Sequence, residues 1–352
     1  MIGNTRPGIP TDIKLLLSLK ILRYGGGTDQ WDDAAYMSEE SGRIYLMKFC
    51  KDIIDMYGST YLKRYPNVHE MDEITERFAI QGFPGCAGAL DYMKLFWKNC
   101  PVQDKGQNLN PKGHSRLATI QCEAWCDYDL YCWHWYSGRS GTNNDLNVLA
   151  RSPLFRDVIS NYYKMERRTE YQIIPNGRRR RRCYLLADGI YPDYPIFAKP
   201  IHDAPHERQR RYSKIQESVR KTVERFFGVL QSRFEYLRRE NRKWELSDVI
   251  TISQACVILH NKIVRMHQNG EFHTEAGAEN LVLEFYEADT ENRIRSEEEM
   301  RQNRNTEENS IMPDWESELE RMVMREAIVT DPDLFYQLEA ELVRNIELRT
   351  DL

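Results

Sequence analysis

A chain of 352 residues with 41% hydrophobic and 11% aromatic residues has enough apolar material for a sizeable core, which excludes a largely disordered protein and a disulfide-stapled miniprotein. The net charge of −5, from 49 basic and 54 acidic residues, argues against a nucleic-acid partner only if the chain is treated as uniform. Residues 270–352 hold 23 acidic and 8 basic residues, which leaves residues 1–269 with a net charge of +10 and the final segment with −15.

The length suits two domains of about 150 residues or one large α/β unit with helical additions. No apolar run approaches the ~20 residues of a membrane span, and no long h-region opens the chain, so a soluble, intracellular protein is expected. In chain order, Ile13–Leu22 reads as a short apolar helix followed by Gly25-Gly26-Gly27. The spacing of Ile44, Met47, Ile53, Ile54 and Tyr57 predicts a helix over Glu39–Tyr57, and another is expected over Met71–Gln81. Residues 1–81 thus form an N-terminal helical region of packing helices, with no basic recognition helix among them.

At Gly82 the period becomes extended. Gly88–Trp97, Arg116–Asp127 and Asp129–Tyr136 read as three strands of a meander, separated by turn chemistry at Asn108–Gly113 and Asp127-Tyr128-Asp129. A helix is predicted from Asn144, with Leu146, Leu149, Leu154, Phe155 and Val158 on its apolar side. A hairpin follows, from Tyr171–Pro175 through Asn176-Gly177 into a return strand that ends at Cys183–Ala187. After a loop punctuated by Pro192, Pro195, Pro200 and Pro205, helices are predicted over Ser213–Arg233 and Ser247–Met266. The acidic tail, 269–352, carries amphipathic helix signals near Trp315–Val329 and Leu334–Ile346. Three strands, a helix, a strand and a long helix follow the order of a ribonuclease-H-like fold. The expectation is therefore α/β, with an 82–268 ribonuclease-H-like domain between the helical region and the tail.

Three carboxylates occupy informative places. Asp91 sits mid-strand, Asp188 closes the apolar stretch Tyr184–Ala187, and Glu224 interrupts the apolar part of the long helix. A charge at such positions costs several kcal/mol unless it is paired or binds a cation. Acids converging from different elements suit two divalent ions about 4 Å apart, the arrangement that serves phosphoryl transfer. The competing expectation is that Asp91 and Glu224 pair with cations such as Arg220 or Arg225 of the same helix.

The strings Gly82-Phe83-Pro84-Gly85-Cys86-Ala87-Gly88-Ala89-Leu90-Asp91 and Trp97-Lys98-Asn99-Cys100-Pro101 resemble the first-acid block of the PIF/Harbinger-type transposases. In the same order follow Gly141-Thr142-Asn143-Asn144-Asp145-Leu146-Asn147-Val148-Leu149, Ser152-Pro153-Leu154-Phe155 and Tyr184-Leu185-Leu186-Ala187-Asp188-Gly189-Ile190-Tyr191-Pro192. Then come Arg220 to Phe234 and Ala255-Cys256-Val257-Ile258-Leu259-His260-Asn261, so that the resemblance covers about residues 20–267. It implies a DDE recombinase domain in which Asp91, Asp188 and Glu224 are catalytic and hold two Mg²⁺ (or Mn²⁺) ions. It also implies metal-dependent cleavage and transfer of double-stranded DNA at transposon ends, residence in the nucleus, a separate Myb/SANT-like DNA-binding partner and a homo-oligomer.

The chain departs from the family pattern in two places. Lys94 stands where a His is usual, and could contact phosphate or repel the metal; Ala150 stands where an acid is common. Asp145 is at a position that is typically acidic, and its competing role is to cap a helix beside Asn144. With Met1 so close to the resembling region, an N-terminal truncation is an open alternative.

Arg178, Arg179, Arg180, Arg181 and Arg182 form an unbroken run before the Asp188 strand, and Arg208, Arg210 and Arg211 precede the Glu224 helix. Beside a metal centre they suit phosphate contacts that position DNA without reading bases; alternatively they form a solvated face or a nuclear-import signal. The eight Cys read as reduced core residues, including Cys122, Cys126 and Cys132, which lack a second ligand pair. His260 reads as a satisfied core histidine, His202 and His206 as surface residues, and Trp125, Trp133 and Trp135 as sheet aromatics. The tail is a solvated appendage or an interaction segment that docks the partner. The functional alternative of a different class is a host-recruited DNA- or protein-binding factor that has kept the fold without turnover.

Overall fold

Capping chemistry sets the helix boundaries of the N-terminal region. Helix α1, Thr11–Tyr24, ends at Gly25, whose φ of 67° is the left-handed conformation of a C-terminal cap; a Cβ there would lie 2.8 Å from the Arg239 side chain and 2.9 Å from the Glu235 backbone. Helix α2, Glu39–Tyr61, starts on Ser38, which accepts from the Ser41 N–H. Helix α3, Val68–Ile80, begins with a full capping box between Asn67 and Glu70, which places its start before the expected Met71. The computed structural model describes residues 9–27, 30, 37–62, 65–108, 117–140, 166–175, 177–270 and 331–349. The helix expected from Asn144, with Asp145, and the one expected near Trp315–Val329 lie outside the described residues.

Strand β1, Cys86–Trp97, is followed by the short helix α4, Val102–Asn108, by β2, Ala118–Cys126, and by β3, Cys132–Ser140. β1 pairs with β2, and β2 with β3, both antiparallel, which is the expected meander. The third strand begins at Cys132 rather than Asp129 because one buried side chain organises the reversal. Asp127 Oδ1 accepts from the backbone N–H of Asp129 (2.9 Å) and Tyr131 (3.0 Å), and Oδ2 accepts from Trp133 Nε1 (2.8 Å), while Leu130 takes a φ of 68°.

The hairpin is shifted. Its arms are β4, Glu166–Tyr171, and β5, Arg180–Arg182, which form a separate two-stranded sheet, so the expected first arm at Tyr171–Pro175 is part of the turn. β6, Tyr184–Leu186, enters the main sheet parallel to β1, and β7, Phe197–Ala198, pairs parallel to β6 inside the Pro-rich segment that carried no strand expectation. The main sheet runs β3-β2-β1-β6-β7, a mixed α/β arrangement in which β2 alone is antiparallel to the rest.

Helix α5, Glu207–Arg233, begins six residues before the expected Ser213; α6, Glu235–Arg238, follows at once, and α7 covers Leu246–Gln268. Val219, Val223, Phe226 and Leu230 face inward from α5, with Phe226 edge-on to Trp135 of β3, and Ser253 of α7 contacts Ser137 and Trp135. The eight cysteines are free and buried, as expected of reduced core residues. No helix among the described residues is long and apolar enough to cross a membrane.

The final helix, α8, covers Pro332–Leu348, capped by Asp331 with Pro332 in its first turn. Phe335, Leu338, Leu342 and Ile346 are buried, and Asn345 Nδ2 donates to the Gly82 carbonyl at 2.9 Å. This helix of the acidic tail therefore packs on the body, along α5 and β7. Leu342→Ala should lower stability by about 2.5 kcal/mol, through lost burial and the cavity left behind. A denaturant titration with an unchanged midpoint would show that α8 adds nothing to the core.

Candidate metal centre

The three predicted acids come from three elements. Asp91 projects from β1, the central strand, and Asp188 lies two residues beyond β6, its parallel neighbour, which pairs Leu186 with Ala89. Glu224 belongs to α5, where Gln216, Arg220 and Glu224 recur every four residues and so share one face. That face is the scaffold of the site. Gln216 Nε2, fully buried, donates to the Ala187 carbonyl at 3.0 Å and to the Ala198 carbonyl at 2.9 Å, which ties the ends of β6 and β7 to the helix immediately before Asp188. One turn on, Arg220 Nη1 donates to Asp91 Oδ2 at 2.5 Å, and Arg220 Nη2 lies 3.7 Å from Glu224 Oε1.

Backbone donors fix the other carboxylate oxygens. Asp91 Oδ1 accepts from the Tyr92 N–H at 2.8 Å, and Asp188 Oδ1 from the Gly189 N–H at 2.7 Å. Burial pushes the Asp91 carboxyl above its ordinary pKa; the Tyr92 N–H and Arg220 oppose the rise, and the neighbouring charge of Asp188 adds to it. Asp91 and Asp188 are thus electrostatic neighbours. Glu224 is set apart from them, with its side chain 49% exposed and Arg220 between it and Asp91.

The donor set of Asp91 and Asp188 is hard and anionic, and already draws a cation in the form of the Arg220 guanidinium, so its chemistry fits Mg²⁺ or Mn²⁺. In the present arrangement the third acid is not gathered with them: among the described residues no group of three or more His, Cys, Asp or Glu side chains is placed to hold a metal ion. Of the two cations weighed as partners, Arg220 reaches both acids. Arg225 instead donates to Thr222 Oγ1 and lies over the Tyr128 ring.

Lys94 is exposed and three residues after Asp91 on the same strand, so strand alternation places it on the opposite face of the sheet from the acid. The basic tract lies before β6, at the end away from Asp188. Arg180 pairs with Glu341 of α8 at 3.2 Å, and Arg178 donates to Gln337 Oε1 at 3.3 Å. Arg179 and Arg181 face Glu170 at 3.6 and 3.8 Å. Near the start of α5, Arg210 pairs with Glu207 at 2.9 Å, Arg211 Nη2 donates to the Arg349 carbonyl at 2.8 Å, and Arg208 is exposed. The tract and the acids are therefore not brought into one cluster.

Two features escaped the sequence reading. Gln216 has no motif to announce it; its signal is the helical phase it shares with Arg220 and Glu224. Glu123 stands in β2, a strand buried at every position, which is the signal an isolated charge should have given. Tyr92 Oη donates to Glu123 Oε1 at 2.8 Å, His134 Nε2 is 3.4 Å from Oε2, and Tyr92 stacks on Tyr191 at 5.9 Å. This polar cluster occupies the sheet face opposite Asp91. A cleft of about 880 Å³ lies between Gly25–Gly27, Arg43 and the segment around Tyr236–Asp248, and none of the three acids lines it.

The family of plant transposon proteins matches residues 59–271, more than half of the chain and a span that includes Asp91, Asp188, Gln216, Arg220 and Glu224. No curated protein and no solved structure matches the chain.

Proposed function

The chain belongs to the plant transposon protein family, which gives it a transposase-related function, and from that premise we propose that it is a PIF/Harbinger-type DDE transposase or a nuclease derived from one. Its substrate in this reading is double-stranded DNA at transposon ends, cleaved and joined by in-line phosphoryl transfer. The observation that carries the proposal is the placement of Asp91 on β1 and Asp188 just beyond its parallel neighbour β6 as electrostatic neighbours, beside the helix face of Gln216, Arg220 and Glu224. The strand order β3-β2-β1-β6-β7, with β2 alone reversed, supports a ribonuclease-H-like core.

Asp91, Asp188 and Glu224 are the residues that would hold divalent ions. Two Mg²⁺ or Mn²⁺ ions bound there supply Lewis-acid stabilisation of the transferring phosphate and a nucleophile active at neutral pH. The chain's own contribution is positional. Gln216 fixes the backbone that leads into Asp188, and the Tyr92 and Gly189 N–H groups orient the two aspartates. Arg208, exposed near the start of α5, and those arginines of the 178–182 tract that are exposed, Arg178, Arg179 and Arg181, would carry phosphate contacts. Nuclear residence, a Myb/SANT-like partner and a homo-oligomer belong to the same reading.

A second reading, a DNA- or protein-binding factor without turnover, is favoured by one observation: Arg220 already occupies Asp91, and the third acid stands apart. A cleavage assay in Mg²⁺ or Mn²⁺ on DNA carrying transposon ends separates the two, with Asp188→Asn as the control. Metal-dependent nicking by the wild type that the variant lacks supports the catalytic reading. Equal nicking by both refutes the metal assignment, and no nicking by either supports the binding factor.

A further inference from the structure

We propose that Arg220 is a resident counter-cation that a divalent ion has to displace from Asp91, so that metal affinity is set by competition with the chain's own guanidinium. The inference rests on the metal-centre reading above and adds a regulatory element to it. Asp91 is mostly withdrawn from water, with its side chain 21% exposed, and Asp188 brings a second negative charge alongside. Two like charges in such a place are costly unless a cation or a shared proton offsets them. Arg220 provides it from the helix above, with its side chain only 14% exposed.

The manner in which Arg220 is held points to displacement rather than permanent bracing. Its terminal nitrogens reach Asp91 at 2.5 Å and Glu224 at 3.7 Å, whereas its buried Nε has no hydrogen-bond partner among the described residues. The two acids are therefore the anchors of the guanidinium, and an ion that claims them removes its reason to stay. The side chain has the length and rotameric freedom to swing along the helix without moving the backbone. Glu224, half exposed and only weakly paired, is released by the same movement. The apo protein thus keeps its acids neutralised and its third ligand apart, and both conditions end with one rotamer change.

A bracing role and a competing role predict opposite signs. If Arg220 held Asp91 ready for the metal, its loss would weaken binding; if it competes, its loss strengthens binding. Isothermal titration of the full chain with MnCl₂ decides, using wild type, Arg220→Gln and Asp91→Asn, together with melting curves without metal. Competition predicts that Arg220→Gln binds Mn²⁺ about tenfold more tightly, as expected when a nearby opposing charge is removed. The same variant should melt below the wild type without metal and recover when Mn²⁺ is added, because ligand binding stabilises the folded state. Asp91→Asn should lose binding.

If the wild type binds and Arg220→Gln binds equally or more weakly, competition is overturned while the metal centre stands. If the wild type does not bind, or Asp91→Asn binds like the wild type, the metal reading falls and the inference with it. Should Arg220→Gln fail to fold, Arg220→Lys serves instead. Its single ammonium cannot bridge both acids, so it should bind Mn²⁺ a few-fold more tightly than the wild type, and equal or weaker binding overturns the proposal.

Discussion

Asp188→Asn should reduce metal-dependent DNA cleavage by about three orders of magnitude, or about 4 kcal/mol of transition-state stabilisation, with little change in melting temperature. The separation of the two effects follows from local geometry. Asp188 Oδ1 accepts from its own Gly189 N–H at 2.7 Å, a bond the amide oxygen of Asn can also accept. The backbone before it is held by Gln216 through the Ala187 carbonyl, so the end of β6 stays in place. What the variant loses is the negative charge that a divalent ion requires. The charge it removes is also one that raises the pKa of Asp91, so the folded state is not penalised for the loss. Cleavage within threefold of the wild type, measured on the same end-containing DNA, would falsify the assignment of Asp188.

Between pH 6.5 and about 4 the protein should lose about 3 kcal/mol of stability through His260 alone. The ring is fully buried in α7; Nε2 is 2.8 Å from the Leu130 carbonyl, and Nδ1 is 3.0 Å from Arg233 Nη1. A carbonyl on one side and a guanidinium donor on the other define the neutral tautomer with its proton on Nε2. Burial, the largest cause, and Arg233 lower the pKa to about 4, with the Leu130 carbonyl opposing them. In the unfolded chain the ring protonates near 6.5, so below that pH the unfolded state binds a proton that the folded state refuses. Stability is therefore intact above 6.5 and is lost as the pH falls toward 4. Denaturation midpoints measured across this range, for wild type and His260→Gln, test the point. The variant is expected to be less stable at neutral pH but to have a flatter profile, and parallel profiles would remove His260 as the source of the acid sensitivity.

The sequence made the acids legible, but their pairing state was not. Asp91, Asp188 and Glu224 were visible because a charge inside an apolar run is conspicuous, whatever its partner. That Arg220 reaches both Asp91 and Glu224, while Arg225 does not, depends on helical phase relative to a strand far away in the chain. Helix existence was readable from the period, but the start of α5 was not. Glu207–Tyr212 is too charged to show an apolar stripe, and the helix is carried through it from the buried residues beyond. β7 is two residues long and lies among prolines, so it owes its strand character to β6 beside it. His260 was legible as a core histidine, since an apolar helix leaves such a ring nowhere else to go. The charge of the tail was plain, whereas the packing of α8 required knowing that Phe335, Leu338, Leu342 and Ile346 find a surface on α5.

The strand order also fixes when this molecule can become what it is. β1 can pair with β2, which in turn pairs with β3, as soon as about 140 residues have emerged from the ribosome, since those contacts are local in sequence. Its other edge waits for Tyr184–Leu186, and the helix face that covers Asp91 waits for Arg220. A nascent chain of intermediate length therefore holds a buried-type aspartate on an unpaired edge, with neither counter-cation nor partner acid, and such edges favour association with other chains. The helix face of Arg220 and Glu224 is complete only when synthesis has passed Glu224, and the last helix closes over α5 and Gly82 more than a hundred residues later. Delays in translation between residues 140 and 220 should thus be where this protein is most easily lost to aggregation.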